Sequence, residues 1–255
     1  MNNVLMLILP IVFYWVFSFF FFILSFLKNP KIEKYKIHQV SNGNRVSCFK
    51  VIRDVLFQQF LQIIIGYIFL SKTLEPSSCI YFDNYIKGSR RVFLFFIQFF
   101  LALVILDTWQ YFFHRLMHYN STLYRYIHSK HHELYVPYAF GALYNHPVEG
   151  LLMDTIGAGL AFQLSGLGAI GGCIFFCFST VKTVDDHCGY VFPYDPLQRF
   201  FYNNSKYHDL HHQPYGMKFN FSQPFFTFWD HYFNTYKNVE TSKCISSLTP
   251  EKKHT

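Results

Sequence analysis

The stretch VFLFFIQFFLALVILDTWQYFFHRLMH, residues 92–118, decides how the chain is read. It opens as a strongly apolar run, Val92 to Leu106, and continues through DTWQYFFHRLMH as a single helix. The apolar part belongs in lipid, and the His114/His118 end stands just beyond it. Trp109 and Tyr111 fall where interfacial anchors are expected. Residues four apart share a helix face, so the two imidazoles aim at one point.

Working outward, ten of the 13 histidines lie between His114 and His212. His128, His131 and His132 form an HxxHH cluster, and His208, His211 and His212 repeat it 80 residues later. His146 and His187 stand singly between them. Each cluster is expected to converge on one point. Neutral imidazole suits iron, copper, zinc and nickel, and a two-metal site is the natural reading. Against a pH-sensing patch or a purely structural network stands mutual repulsion: unliganded imidazoles so crowded repel one another whenever protonated. His38, His231 and His254 belong to no cluster and are read as structural or solvent-exposed. Among metal-site classes, the absence of HExxH excludes a zinc peptidase. With about ten nitrogen ligands, two metals need no bridging carboxylates, unlike soluble di-iron bundles with their Glu-x-x-His pairs.

The chain is 51% hydrophobic and 22% aromatic, with 33 Phe, while only 15% is charged. Soluble proteins carry about 25% charged residues, so this composition points to an integral membrane protein. The net charge of +7 comes from basic residues beside apolar runs, which suits anionic lipid rather than nucleic acid. Six cysteines (Cys48, Cys79, Cys173, Cys177, Cys188, Cys244) show no CxxC pair, and no disulfide framework is implied.

Residues 5–27 form a first apolar run, too long for a signal peptide and lacking a basic start and a small-residue cleavage site. The second, Val55 to Leu70, contains Gln58, Gln59 and Gln62; it is read as a short span with its polar residues turned toward protein. The fourth, Leu151 to Val181, carries six glycines around GLGAIGG. Two half-length helices joined by a glycine turn fit it better than one straight helix, and such a re-entrant hairpin returns the chain to its starting side. The loop from Lys28 to Arg53 has seven Lys or Arg, against four between Ser71 and Arg91. By the positive-inside rule the first loop is cytosolic, and with it every histidine cluster. The expected fold is therefore all-α: about four membrane-embedded helical units, one a glycine-broken hairpin, under a cytosolic helical cap holding a histidine-rich dimetal site. The sequons at Asn120, Asn203 and Asn220 would go unused there.

HRLMH, HSKHH, NHP and YHDLHH resemble the boxes of the membrane fatty acid hydroxylase superfamily, which includes sterol oxidases and desaturases. VPYAFGALYNHPVEGLLMDTIG, STVKTVDDHCGY and YHDLHHQPYGMKFNFSQPFFTFWD are similar to the plant-type sphinganine C4-hydroxylases, over about residues 107–236. The resemblance implies an O2-dependent di-iron monooxygenase that hydroxylates sphinganine or its ceramide at C4, in the endoplasmic reticulum membrane. It implies electrons from a separate cytochrome b5 and its NAD(P)H reductase, with ceramide synthase as a further partner. It also implies that His114, His118, His128, His131, His132, His146, His187, His208, His211 and His212 ligate two iron ions, a cage that zinc would also enter in a purified sample. Asp107, Asp185, Asp186 and Asp209 lie beside these positions and are expected either to accept the second imidazole N–H or to be ordinary solvated or capping aspartates.

On this reading residues 1–91 are a membrane anchor region, 92–240 the fatty acid hydroxylase domain and 241–255 a cytosolic tail. In the tail, Lys252 and Lys253 resemble a dilysine retrieval signal. Two rivals remain: a sterol C4-methyl oxidase or C5-desaturase of the same superfamily, and a non-catalytic metal-binding membrane protein. The second predicts histidines inside the spans rather than at their ends.

Overall fold

The structure, a computed structural model, describes residues 3–39, 44–73 and 88–238. The tail with Lys252 and Lys253, His254, Cys79 and Cys244 lie outside the described residues. Among those described there is no β-strand. The helices are α1 (Asn3–Phe26), α2 (Pro30–Glu33), α3 (Cys48–Thr73), α4 (Ser89–Tyr119), α5 (Ser121–Tyr126) and α6 (Pro147–Gly150). They continue as α7 (Gly157–Ser165), α8 (Ala169–Asp186), α9 (Pro196–Phe200), α10 (Ser205–His212) and α11 (Phe228–Tyr232). A 3-10 helix covers His128–Glu133, and a π-helical turn, Leu151–Ile156, leads into α7.

Among the described residues, three helices are long and apolar enough to cross a membrane: Val4–Phe26, Cys48–Lys72 and Ser89–Tyr119. The second is longer than its apolar core, Val55 to Leu70, suggests. Its extra turns at the start carry Lys50, Arg53 and Asp54, which pair at the helix end: Arg53 with Asp54 at 2.7 Å, Lys130 with Asp54 at 3.0 Å and Lys50 with Glu133 at 3.5 Å. Gln58 and Gln59 are buried, as their place in an apolar helix demands, and the Gln59 carbonyl accepts from Trp15 Nε1 at 2.9 Å. The exposed surface of the same helices is Phe57, Phe60, Ile68, Phe93, Phe96 and Phe100. Polar side chains inward and aromatic ones outward suit a lipid surround.

The glycine-rich stretch forms the expected helical hairpin. It reverses at Gly166, whose φ of 71° is open to glycine at little cost. The arms splay: α7 packs along α4, while α8 packs along α1. At Gly172 an added Cβ would fall 2.4 Å from Phe162 and 3.0 Å from Met6, so the bare backbone lets the elements approach.

α8 ends at Asp186, which returns His187 to the end of α4 that carries His114 and His118. The first loop lies on this same side. Arg45 N–H donates to Glu133 O at 3.0 Å, Asn44 exchanges two hydrogen bonds with the Val136 backbone, and Lys36 bridges to Tyr190. First loop and histidines therefore share one face. Asn203 and Asn220 are fully buried and Asn120 caps α5, so their sequons serve folding.

Candidate dimetal centre

Four elements converge here. The last turns of α4 bring His114 and His118, the 3-10 helix brings His128, His131 and His132, the end of α8 brings His187, and α10 brings the second HxxHH. α10 starts squarely because the Asn204 side chain accepts from Tyr207 N–H at 3.1 Å. Two groups result: His114, His118, His128, His132 and His211, and His131, His187, His208 and His212. Within each, the candidate ligand atoms all lie within 4.8 Å of one another.

The clusters do not each converge on one point, as their spacing suggested. They interleave. His128 and His132 join the first group while His131 joins the second; His208 and His212 join the second while His211 joins the first. In α10, an α-helix, i and i+4 lie about 40° apart whereas i+3 stands about 100° from i+4, so His211 faces another centre than His208 and His212. Each HxxHH thus ties the two groups together.

Whether the donor set fits metal ions is answered by its tautomers. A backbone carbonyl can only accept, so each Nδ1 facing one carries the proton. His114 Nδ1 donates to Phe221 O at 2.8 Å, His131 to Tyr144 O at 3.0 Å, His187 to Thr183 O at 2.8 Å and His211 to Phe219 O at 2.7 Å. His128 Nδ1 meets Glu149 Oε1 at 2.7 Å. Every Nε2 opposite a carbonyl-bound Nδ1 therefore presents a lone pair, and the His128 Nε2 does so when the Glu149 carboxyl is ionised. His114 Nε2 lies 3.1 Å from His128 Nε2, and the His187 Nε2 lone pair lies 2.9 Å from His208 Nε2, on a ring whose proton no carbonyl fixes. His211 Nε2 is buried with no hydrogen-bond partner. A buried Nε2 lone pair without a partner, at the meeting point of four other imidazole nitrogens, is what a cation would satisfy, and the residues fit metal ions.

Burial keeps these rings neutral. It pushes the pKa of His128, His132, His208 and His212 well below the usual value, reinforced by neighbouring imidazoles, and lowers His131 as well. His187 and His211 are pushed down to about 3, burial being the main cause.

His146 is not brought in. It belongs to neither group; its Nδ1 accepts from Val148 N–H at 3.2 Å and caps α6. Nor do the four aspartates hold the imidazoles of either group. Asp107 accepts from Phe225 and Phe226 N–H at 2.8 and 3.1 Å, Asp185 from Gln198, and Asp186 pairs with the buried Lys182. Asp209 pairs with His38 at 2.7 Å, which makes His38 a working partner of α10. Buried backbone N–H groups and a buried lysine left unsatisfied would cost more than a ring N–H that carbonyls already serve.

A small pocket is lined by His128, His131, His187 and His208, with Asn145, Glu149 and Asp154. Beside it a mostly apolar cleft of about 940 Å³ runs among α1, α3, α4, α7 and α8, past Met6, Ile63, Leu70 and Phe176. The two share Gln110, Asp154, Thr183 and Pro224. The cleft adjoins the imidazole-lined pocket at that junction.

A family model described as fatty acid hydroxylase matches residues 99–235. This chain belongs to the fatty acid hydroxylase family. Among similar members, Sphingolipid C4-hydroxylase sur2 of Schizosaccharomyces pombe is 49% identical, covering 90% of this chain and 87% of its own. Sphinganine C4-monooxygenase 2 of Arabidopsis thaliana is 47% identical, covering 89% and 85%. Very-long-chain aldehyde decarbonylase GL1-9 of Oryza sativa subsp. indica is 44% identical, covering 89% and 86%. Methylsterol monooxygenase 1 of Rattus norvegicus stands lower, at 32% over 87% and 73%. No solved structure matches the chain.

Two residues of this hydroxylase-family site escaped the reading of the sequence. Glu149 follows the NHP box, and the rule of a carboxylate partner for a ligand histidine would have found it. Asp230 is fully buried and accepts from Phe221 and Ser222 N–H at 3.0 and 2.7 Å, from Thr235 at 2.6 Å, and from Tyr207. It fixes the segment whose carbonyls orient His114 and His211. Nothing in FTFWDHY announces that role.

Proposed function

We propose that this fatty acid hydroxylase family member is a sphingolipid C4-hydroxylase acting on sphinganine or its ceramide. One observation supports it above the others: an apolar cleft among membrane helices adjoins a pocket lined by neutral imidazoles of both groups. Such a junction receives a lipid chain lengthwise and exposes one of its methylenes. The named activities of the most similar relatives then favour C4 of a long-chain base, over the sterol reaction of the more distant one.

Two iron ions would be held by the five- and four-imidazole groups, and bound iron would supply activation of O2. The net change is R–H + O2 + 2 e⁻ + 2 H⁺ → R–OH + H2O. The chain's own residues do the rest. The carbonyls of Phe219, Phe221, Tyr144 and Thr183 and the Glu149 carboxyl hold the ring protons at Nδ1, leaving Nε2 as donor. The cleft wall orients the substrate and keeps water from the unactivated C–H bond.

Residues 92–240 carry the catalytic domain and 1–91 its anchor. The basic first loop and the histidine cap face the cytosol, in the endoplasmic reticulum membrane. There a cytochrome b5 and its NAD(P)H reductase deliver electrons, and a ceramide synthase shares the sphingoid-base pool.

Expression in a yeast strain lacking its own C4-hydroxylase tests the proposal. Wild type should restore 4-hydroxylated bases in lipid profiles, and His131→Ala or His211→Ala should not. Extracts with alkanes and no 4-hydroxylated base would transfer the assignment to the reaction named for the rice relative. Lipids unchanged by every variant would leave only a metal-binding role.

A further inference from the structure

The pocket beside the imidazoles has a chemistry the hydroxylation itself does not use. Asn145 and Glu149 are only 9% and 4% exposed, and Asn145 Oδ1, Glu149 Oε2 and Asp154 Oδ2 have no hydrogen-bond partner. The Asn145 carbonyl accepts, and so does each carboxyl oxygen in its ionised form; burial pushes Asp154 up to about 7, so a donor beside it also favours that form. Buried polar groups in native proteins are nearly always paired, so what completes this set must donate. The pocket lining includes no lysine or arginine. A donor that is also cationic therefore fits best.

The acceptors are held in place by their other halves. Glu149 Oε1 is engaged by His128, which leaves Oε2 free. Asp154 sits in the π-helical turn, a distortion common at functional sites. α4 clamps that turn: Trp109 Nε1 donates to Leu152 O at 2.9 Å, and Gln110 Nε2 to Met153 O at 3.4 Å and to Asp154 Oδ1 at 3.3 Å. Oδ2 is thereby left free in the junction between cleft and pocket. Between these side chains, a Cβ on Gly150 would lie 2.1 Å from Gln58 Nε2 and 2.7 Å from Asn145 Oδ1, so glycine there leaves room for both amides. Gln58 is a neutral donor and stands outside the pocket lining.

We infer that Asn145, Glu149 and Asp154 form the subsite for the amino-alcohol end of the substrate and select a free long-chain base over its N-acylated form. The inference rests on the proposed function and deepens it. With the tail in the cleft and C4 at the imidazoles, the amine and hydroxyls are at most three carbons away. Whatever holds them must share the imidazole pocket. A free amine brings a positive charge and three N–H donors to acceptors that lack them. N-acylation removes the charge and leaves one N–H.

Equilibrium binding to the full-length protein in detergent tests this, with radiolabelled sphinganine and N-acetylsphinganine as probes, alongside C4-hydroxylation of both. Wild type should bind sphinganine tighter by about tenfold or more. Asp154→Asn should lose most of that preference, with N-acetylsphinganine binding changed less than about twofold, and Asp154→Glu should retain it. Equal affinity of wild type for the two probes overturns the subsite, as does an equal loss of both in Asp154→Asn with metal content unchanged. The wild-type comparison stands even if a variant fails to fold. Hydroxylation of both bases without preference sinks the subsite and spares the function. Selective binding without any C4 product does the reverse.

Discussion

His128 Nδ1 and Glu149 Oε1 stand 2.7 Å apart, and both side chains are buried. The carboxyl comes from α6, directly after the NHP box, and reaches a ring on the 3-10 helix. It fixes the His128 tautomer and raises the basicity of Nε2, which faces His114, His118 and His132. Outer partners of this kind are worth about 10–100-fold in metal affinity. Glu149→Ala should therefore weaken binding at the five-imidazole group by about that factor. Glu149→Gln keeps an acceptor oxygen and should lose less. Competition of iron or zinc against a chelator of known affinity reads both variants. Equal losses for Ala and Gln would show that charge rather than ring orientation matters.

His146 offers the contrasting case. Its ring caps α6 and belongs to neither imidazole group. His146→Ala should keep the full metal content and lose at most about 1 kcal/mol of stability, the worth of a helix cap. His132→Ala should lower the metal content. Metal analysis of the two purified variants separates the roles, and a matching deficit in both would make His146 a ligand.

Much of this architecture was legible because its periods are local. The run from Val92 to His118 showed a helix leaving lipid with two imidazoles on one face, and GLGAIGG showed a hairpin. The division of each HxxHH between two centres was not legible. Helix geometry splits i+3 from i+4 in α10, but which rings of other elements complete each centre depends on where α10 sits against the 3-10 helix, a long-range relation that the spacing does not encode. His38 is structural, as read, but its pairing with Asp209 was not legible for the same reason: the two are far apart in sequence, and only the folded first loop brings them to 2.7 Å. The aspartates of α8 were misread because the buried Lys182, lost among apolar residues in the sequence, claims Asp186.

Gly216, in the turn after α10, should tolerate no side chain. A Cβ there would lie 1.7 Å from Leu210 O and 2.6 Å from its carbonyl carbon, both backbone atoms that cannot swing away. Gly216→Ala must move the end of α10, which carries His211 and His212, or the segment leading to Phe219 O, which holds His211. The expected result is lower metal content together with a loss of more than about 2 kcal/mol, typical of strained backbone sites. Thermal unfolding with and without added metal measures it, and an alanine variant with wild-type metal content and melting temperature would refute the steric reading.

The depressed histidines set how the metal-free protein responds to acid. His187 and His211 are pushed from the usual 6.5 to about 3 by burial. Unfolded, they take up protons near pH 6.5; folded, they stay neutral until much lower pH. The unfolded state thus binds more protons throughout that window, and stability must fall with falling pH. It is fully present above pH 6.5 and is lost progressively as pH drops toward 3. Acid also competes with metal for the same Nε2 atoms once the chain opens, so the loaded protein should be more stable at every pH and lose its metal on acid unfolding. Melting temperatures of chelator-treated protein at pH 7.5 and 5.5 check the sign: the value at 5.5 should be lower, and the gap should narrow in His187→Gln and His211→Gln. A metal-free protein that gains stability on acidification would mean that these rings are already protonated in the fold, and the lone-pair argument for the metal site would fall with it.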